Sequence, residues 1–206
     1  MRDSGLITGA LAIMGAAGLA AYLYLGQSNA QSASVSFEDT EGPNLVIEVS
    51  GTINGSITID LLPDVAPLHV EQITALAEEG AYDGVIFHRV IDGFMAQTGD
   101  VEFGKIGGDT VRAGMGGSSR PNIPAEFSDL PFQRGVVGMA RSASPDSANS
   151  QFFIMFEPAT HLNGQYTVVG RVIEGMDVVD AIKKGSSQHN GAVLEPDQMA
   201  HVTVVK

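Results

Sequence analysis

Between Val85 and Val169 the apolar residues come in short stretches, each cut off by Gly, Pro, Asn or Ser. That punctuation leaves little room for long helices. It suits short strands joined by tight turns, as in an all-β sandwich or barrel. The flanks carry their own signals. Residues 45–49 (LVIEV) and 57–61 (ITIDL) are β-branched runs joined across a segment containing Asn54 and Gly55, a hairpin signal. Asn54-Gly55-Ser56 is also a glycosylation sequon, for which the turn is explanation enough. Asp64 precedes Pro67, a residue tolerated in the first turn of a helix, and Val70, Ile73, Leu76 and Ala77 then recur on one face until Gly80. His69, on the same helix, reads as exposed. Gly175 to Lys184 reads as a second short helix, apolar at Val178, Val179 and Ile182, with lysines in its last turn. Residues 201–206 (HVTVVK) read as a closing strand. Many strands, two helices and one core predict a mainly β domain, a closed antiparallel barrel with helical caps. There are no internal repeats.

Ahead of this domain, Leu6 to Leu25 is a run of 20 residues without a charge, with Tyr22 and Tyr24 near its end. At 1.5 Å per residue a helix of about that length spans a bilayer, and it exceeds the ~7–15 residues of a signal-peptide apolar region. Two readings stand: a single-pass anchor with the N-terminus inside, or a signal cleaved after Ser28-Asn29-Ala30. Either way the domain is expected to be exported, to the periplasmic side of the inner membrane or as a soluble periplasmic protein. Residues 26–43, polar and then acidic, read as a flexible linker, and the folded domain as 44–206.

Charge and composition exclude several function classes. The chain has 11 Lys and Arg against 24 Asp and Glu, net −13; nucleic-acid affinity comes from neutralising phosphates, so no nucleic-acid partner is expected. With no Cys there is no thiolate metal site and no thiol nucleophile. The five histidines, at 69, 88, 161, 189 and 201, lack metal-ligand spacing. Residues 99–105 spell GxxxxGK, but Ile106 stands where a Mg²⁺-binding hydroxyl belongs, and Asp100 and Glu102 would repel phosphate. No G-x-S-x-G elbow occurs at Gly117-Ser118-Ser119. What remains is residues 87–100, FHRVIDGFMAQTGD. In an extended chain Phe87, Arg89 and Ile91 share one face, with His88 and Val90 on the other. An arginine among core-type residues is either functional or paired, the plainer reading being a salt bridge to Asp83, Asp92 or Asp100.

Four blocks in order, residues 87–100, 135–141 (GVVGMAR), 149–154 (NSQFFI) and 162–170 (LNGQYTVVG), resemble a cyclophilin-type peptidyl-prolyl cis-trans isomerase. The resemblance runs from about Asn44 to Lys206. Residues 81–84 and 139–145 are similar to the bacterial branch. It implies an eight-stranded antiparallel barrel closed by two helices, with Arg89 as the catalytic arginine. Phe94, Met95, Phe153 and Leu162 would line the pocket for the substrate proline ring. Gln97 would bond the substrate backbone, Ala140 and Arg141 would lie along the groove, Arg141 chiefly through its main chain, and Gln151 would support the same surface. His161 stands where the best-known eukaryotic members carry Trp, and Tyr166 where they carry His. The Trp position helps bind cyclosporin, so the departure bears on inhibition by that drug more than on catalysis.

The implied reaction fits the exclusions. Rotation about a peptide bond faces a barrier of ~18–20 kcal/mol, so X-Pro isomerisation takes on the order of tens to hundreds of seconds unaided. No bond breaks, so no nucleophile, metal or cofactor is needed. The expected partners are proline-containing polypeptides, and the membrane if residues 6–25 are retained; the domain is expected to be monomeric. The alternatives are a proline-segment binder or holdase of the same fold, and a structural anchor whose barrel only docks partners.

Overall fold

The computed structural model describes residues 38–206; the apolar run 6–25, and the linker as far as residue 37, lie outside the described residues. Strands β1 (Asn44–Ser50) and β2 (Gly55–Leu61) pair antiparallel, and alternate residues, Leu45, Ile47 and Val49 facing Ile57, Ile59 and Leu61, are buried on one face. Residues 38–43 are tied to this hairpin. Thr40 Oγ1 donates to both carboxylate oxygens of the buried Asp60 at 2.8 and 3.0 Å, and Leu61 N donates to Pro43 O at 3.1 Å.

Helix α1 (Pro67–Glu78) follows, burying Val70, Ile73, Leu76 and Ala77 as its spacing predicts. It has no side-chain cap of its own. Glu126, far along the chain, supplies one: its carboxylate accepts Leu68 N and His69 N at 3.1 Å each. A carboxylate there satisfies orphan N–H donors and suits the positive end of the helix dipole. The same carboxylate lies 2.5 Å from His69 Nδ1. His69 is therefore fully buried, contrary to its sequence reading. It lies four and seven residues before Ile73 and Leu76, on the buried stripe.

The other strands are β3 (Val85–Ile86), β4 (Arg89–Ile91), β5 (Met95–Thr98), β6 (Val136–Met139), β7 (Phe152–Met155), β8 (Val168–Glu174) and β9 (Gln198–Val205). One antiparallel sheet joins all nine in the order β3-β9-β1-β2-β8-β6-β7-β5-β4. Nine replace the expected eight because the stretch 85–91 is not one strand: β3 pairs with β9, whereas β4 pairs with β5. At the break, Phe87 N donates to Asp197 O and Val193 N to His88 O. Phe87 and Val90 are both buried, so the simple alternation through Arg89 fails there. The two end strands of the sheet are thus only two residues apart along the chain, and the sheet is curled. Helix α2 (Met176–Ala181) is shorter than predicted. Ile182 is extended (φ −53°, ψ 133°), so Lys183 and Lys184 fall beyond the helix.

Asp197 knots this end of the fold. It accepts Thr52 N and Ile53 N, the Thr52 hydroxyl, and Lys183 N. Burial by itself pushes the Asp197 carboxyl up, but these donors outweigh it and hold the group below the usual carboxylate range.

Candidate functional site

Register places the key side chains. Arg89 on β4 pairs with Gln97 on β5, Gln97 with Phe153 on β7, and Phe153 with Gly138 on β6. One row across four strands therefore carries Arg89, Gln97, Phe153 and Gly138. The neighbouring row carries Ile91, Met95 and Met155. The intervening residues Ala96, Phe152 and Ile154 enter the main core, while Met95, Phe153 and Met155 join a second apolar cluster with Phe132 and Leu162. Both faces of these strands are thus buried. Gly93, at φ +67°, makes the tight β4–β5 turn that ends with Phe94 at the rim of the second cluster.

Gly138 has no side chain because Phe153 occupies that space. A Cβ there would lie 2.6 Å from both Phe132 Cε1 and Phe153 Cζ, rings that stack 5.8 Å apart. Gly138→Ala is expected to push Phe153 out of its stack, raising KM for a proline peptide about tenfold and lowering stability by about 1–3 kcal/mol. Gly→Ala in unstrained backbone ordinarily stabilises, so steady-state kinetics and thermal melts of this variant report the contact by the sign of the change.

On this row opens a cleft of about 490 Å³, lined by Arg89, Phe94, Met95, Gln97, Ala140, Arg141, Phe153, His161, Leu162, Gln165 and Tyr166. Every site residue expected from sequence is there except Gln151. That residue lines an adjoining polar cleft of about 380 Å³ with Gly114–Ser118, Asn122 and Asn149, which shares Gln97, Ala140 and Arg141 with the first. Gln165 is an addition. His161 stacks on Phe94 at 5.9 Å, and Tyr166 meets Phe153 edge-on at 5.9 Å.

Arg89 makes none of the expected salt bridges to Asp83, Asp92 or Asp100. Its Nε donates to Asn190 O at 3.1 Å, Nη2 to Asn190 Oδ1 at 3.1 Å, and Nη1 to Gln97 Oε1 at 3.2 Å. Gln97 Nε2 then donates to Gln151 Oε1 at 2.9 Å, and Gln151 Nε2 to Gly116 O at 2.8 Å. This chain of amides fixes Gln97 with its oxygen toward Arg89. Burial lowers the Arg89 pKa, with Tyr166 opposing, but a guanidinium remains charged. Asn190 was missed by sequence reasoning. Its only signal is the turn dipeptide Asn190-Gly191, and it sits at φ 52° in the left-handed region.

Asp100 organises the glycine-rich loop beyond β5. Its Oδ1 accepts Glu102 N and Phe103 N, and its Oδ2 accepts Gly114 N and Gly116 N. The GxxxxGK stretch therefore turns its backbone donors onto its own carboxylate.

His88, next to Arg89, is buried, and neither ring nitrogen has a hydrogen-bond partner among the described residues. Burial pushes it down to about 4, the Arg89 charge adds to this, and Asp100 opposes it. An unfolded chain would bind a proton at His88 near pH 6.5, so this contribution to stability is complete above that pH. It is lost as pH falls towards 4, to a total of about 3 kcal/mol. Asp197 extends the loss to still lower pH. Thermal melts between about pH 7.5 and pH 4.5 should show a falling Tm, and His88→Leu should flatten the fall.

The arrangement offers an apolar recess walled by Phe94, Met95, Phe153 and Leu162, with two held guanidinium groups, Arg89 and Arg141, at its edge. It suits a small apolar ring attached to an amide. Similarity agrees with that chemistry. The family model described as cyclophilin type peptidyl-prolyl cis-trans isomerase/CLD matches residues 45–204. A probable peptidyl-prolyl cis-trans isomerase of Brucella suis is 61% identical over 153 residues, covering 73% of this chain and 78% of its own. Peptidyl-prolyl cis-trans isomerase CYP18-1 of Arabidopsis thaliana is 36% identical over 154 residues, covering 73% of this chain and 90% of its own. The crystal structure of cyclophilin AquaCyp293 from Hirschia baltica superposes with a TM-score of 0.64 at 26% identity, covering 78% of this chain and 73% of that one. A fold match spanning the sheet and a 61% identical relative lead to one conclusion: the chain belongs to the cyclophilin-type peptidyl-prolyl cis-trans isomerases.

Proposed function

We propose that Arg89 is the catalytic residue and that the cleft beside it seats the proline ring of an X-Pro segment against Phe94, Met95, Phe153 and Leu162. Gln97 holds the substrate backbone, Ala140 and Arg141 flank it, Gln151 steadies Gln97, and His161 and Tyr166 close the rim. The observation that carries this reading is the neutral company of Arg89. Among the described residues only Gln97 and Asn190 amide oxygens, with the Met95 thioether at 3.8 Å, meet its guanidinium, and none of their carboxylates cancels its charge. A donor fixed there can bond the prolyl amide as it twists. Donation to the prolyl nitrogen favours the pyramidal, resonance-free form that exists only near the transition state, and so lowers the barrier rather than merely binding substrate.

The clients are unfolded or folding chains with accessible X-Pro bonds. The reading takes the curled sheet as a closed barrel, supported by β3 and β4 lying at opposite ends of the strand order yet two residues apart in the chain. It takes Leu6–Leu25 as an export segment, retained in the inner membrane with the domain in the periplasm or cleaved near Ala30, supported by its uncharged length. Mass spectrometry of the mature N-terminus separates these two: a start at Gln31 means cleavage, an intact Met1 region an anchor. The function is tested by adding catalytic amounts of the full chain to an X-Pro peptide and following cis-trans exchange by NMR. Accelerated exchange is expected. Binding without acceleration would instead indicate a proline-segment binder.

A further inference from the structure

Among the described residues, the two adjoining clefts are lined by no acidic side chain, in a protein with 24 Asp and Glu. Two arginines stand there instead. Arg141 lies at the seam, lining both clefts. It is held rigidly: Nη1 donates to Ser142 O and Nη2 to Gln165 O, each at 2.9 Å, and its guanidinium carbon lies 4.4 Å from the centre of the Tyr166 ring. Elsewhere on the domain Arg120, Arg134 and Arg171 face Glu79, Asp180 and Asp60. Neither Arg89 nor Arg141 faces a carboxylate among the described residues. Among the described residues, three of the five N–H donors of Arg141 find no acceptor, the buried Nε included.

We infer that Arg141 is a specificity residue that selects client segments carrying Asp or Glu within two residues of the proline. The inference rests on the proline ring occupying the Phe153 cleft. Arg141 forms part of that cleft's wall, and an extended chain advances about 3.3–3.6 Å per residue, so a side chain one or two residues from the ring falls beside it. A guanidinium already pinned by two carbonyls and a ring face loses little freedom on meeting a carboxylate, which offsets the usual weakness of partly exposed ion pairs. The net charge of −13 does not forbid this, because at physiological salt repulsion beyond about 8 Å is screened while the local pair is not.

The test uses the full chain and X-Pro peptides that differ only by Glu, Ala or Lys at each of the two positions on either side of proline. The readout is kcat/KM from NMR exchange. At one or more positions Glu should exceed Lys by about fivefold. That ratio should collapse towards unity in high salt and in Arg141→Gln, and invert in Arg141→Glu. A wild-type ratio within twofold of unity at every position overturns the inference, as does a preference that Arg141→Gln leaves intact. Salt collapse shows that the preference is electrostatic, and Arg141→Gln assigns it to Arg141 rather than Arg89 even if Arg141→Glu fails to fold. If wild type turns over the Ala peptide while showing no Glu preference, the isomerase reading stands and only the specificity falls. No turnover of the Ala peptide overturns both.

Discussion

Arg89→Ala is expected to lower kcat/KM for X-Pro isomerisation about a hundredfold or more, while the variant remains folded. The size follows from what is lost. Removing one preorganised donor aimed at a charge that develops in the transition state costs on the order of 10²–10³ in rate. Arg89 is such a donor, oriented by Asn190 and Gln97. Stability should change little, because the side chain is only half-buried and leaves behind neutral amide groups, for which water can substitute. Arg89→Lys should recover only part of the activity. An ammonium keeps the charge but cannot reach Asn190 and Gln97 together in the planar fork that fixes a guanidinium. Progress curves with the full chain, wild type beside both variants, check the ranking wild type, Lys, Ala.

Asp100→Asn is expected to destabilise the domain by about 2–5 kcal/mol, lowering Tm by on the order of ten degrees. Each carboxylate oxygen serves a different pair of backbone donors, Glu102 and Phe103 on one side, Gly114 and Gly116 on the other. An amide has only one acceptor oxygen. Whichever way Asn turns, its NH₂ group faces two partly buried N–H donors and offers them no acceptor. The consequence reaches the site, because Gly116 O holds Gln151, which holds Gln97 beside Arg89. Activity should therefore fall along with stability. A denaturant melt within experimental error of wild type would show that water replaces the carboxylate without cost and that the loop is not tied as described.

The fold was legible where structure is local. The β1–β2 hairpin follows from two β-branched runs, and α1 from four apolar residues at helical spacing. What failed depended on partners distant in sequence. His69 reads as a polar helix residue, and only its register with Ile73 and Leu76 hinted at burial; the Glu126 carboxylate that makes burial tolerable lies outside any local window. The division of residues 85–91 between β3 and β4 is set by β9, β5 and the loop at 190–193, again remote. At the site, the motif blocks, through the resemblance they carry, pointed to residues that line the two clefts, though not to Gln165 or the loop at 114–118. They could not show that Arg89 leans on Asn190 rather than on an aspartate, since that contact spans 101 positions. Arg141 carried a groove assignment from resemblance, but its place between two clefts without an acidic side chain among the described residues is visible only in three dimensions.

The central claim is that Arg89 acts on the twisted amide and not on ground-state binding. Two-dimensional NMR exchange at saturating X-Pro peptide separates the two, because it reads the affinity of the full chain for the peptide and the cis-trans interconversion rate on the protein in one experiment. The account predicts that Arg89→Ala leaves affinity within about threefold of wild type while the on-protein interconversion rate falls at least about a hundredfold. A variant that binds far more weakly yet interconverts bound peptide at the wild-type rate would contradict it, and would make Arg89 a binding residue.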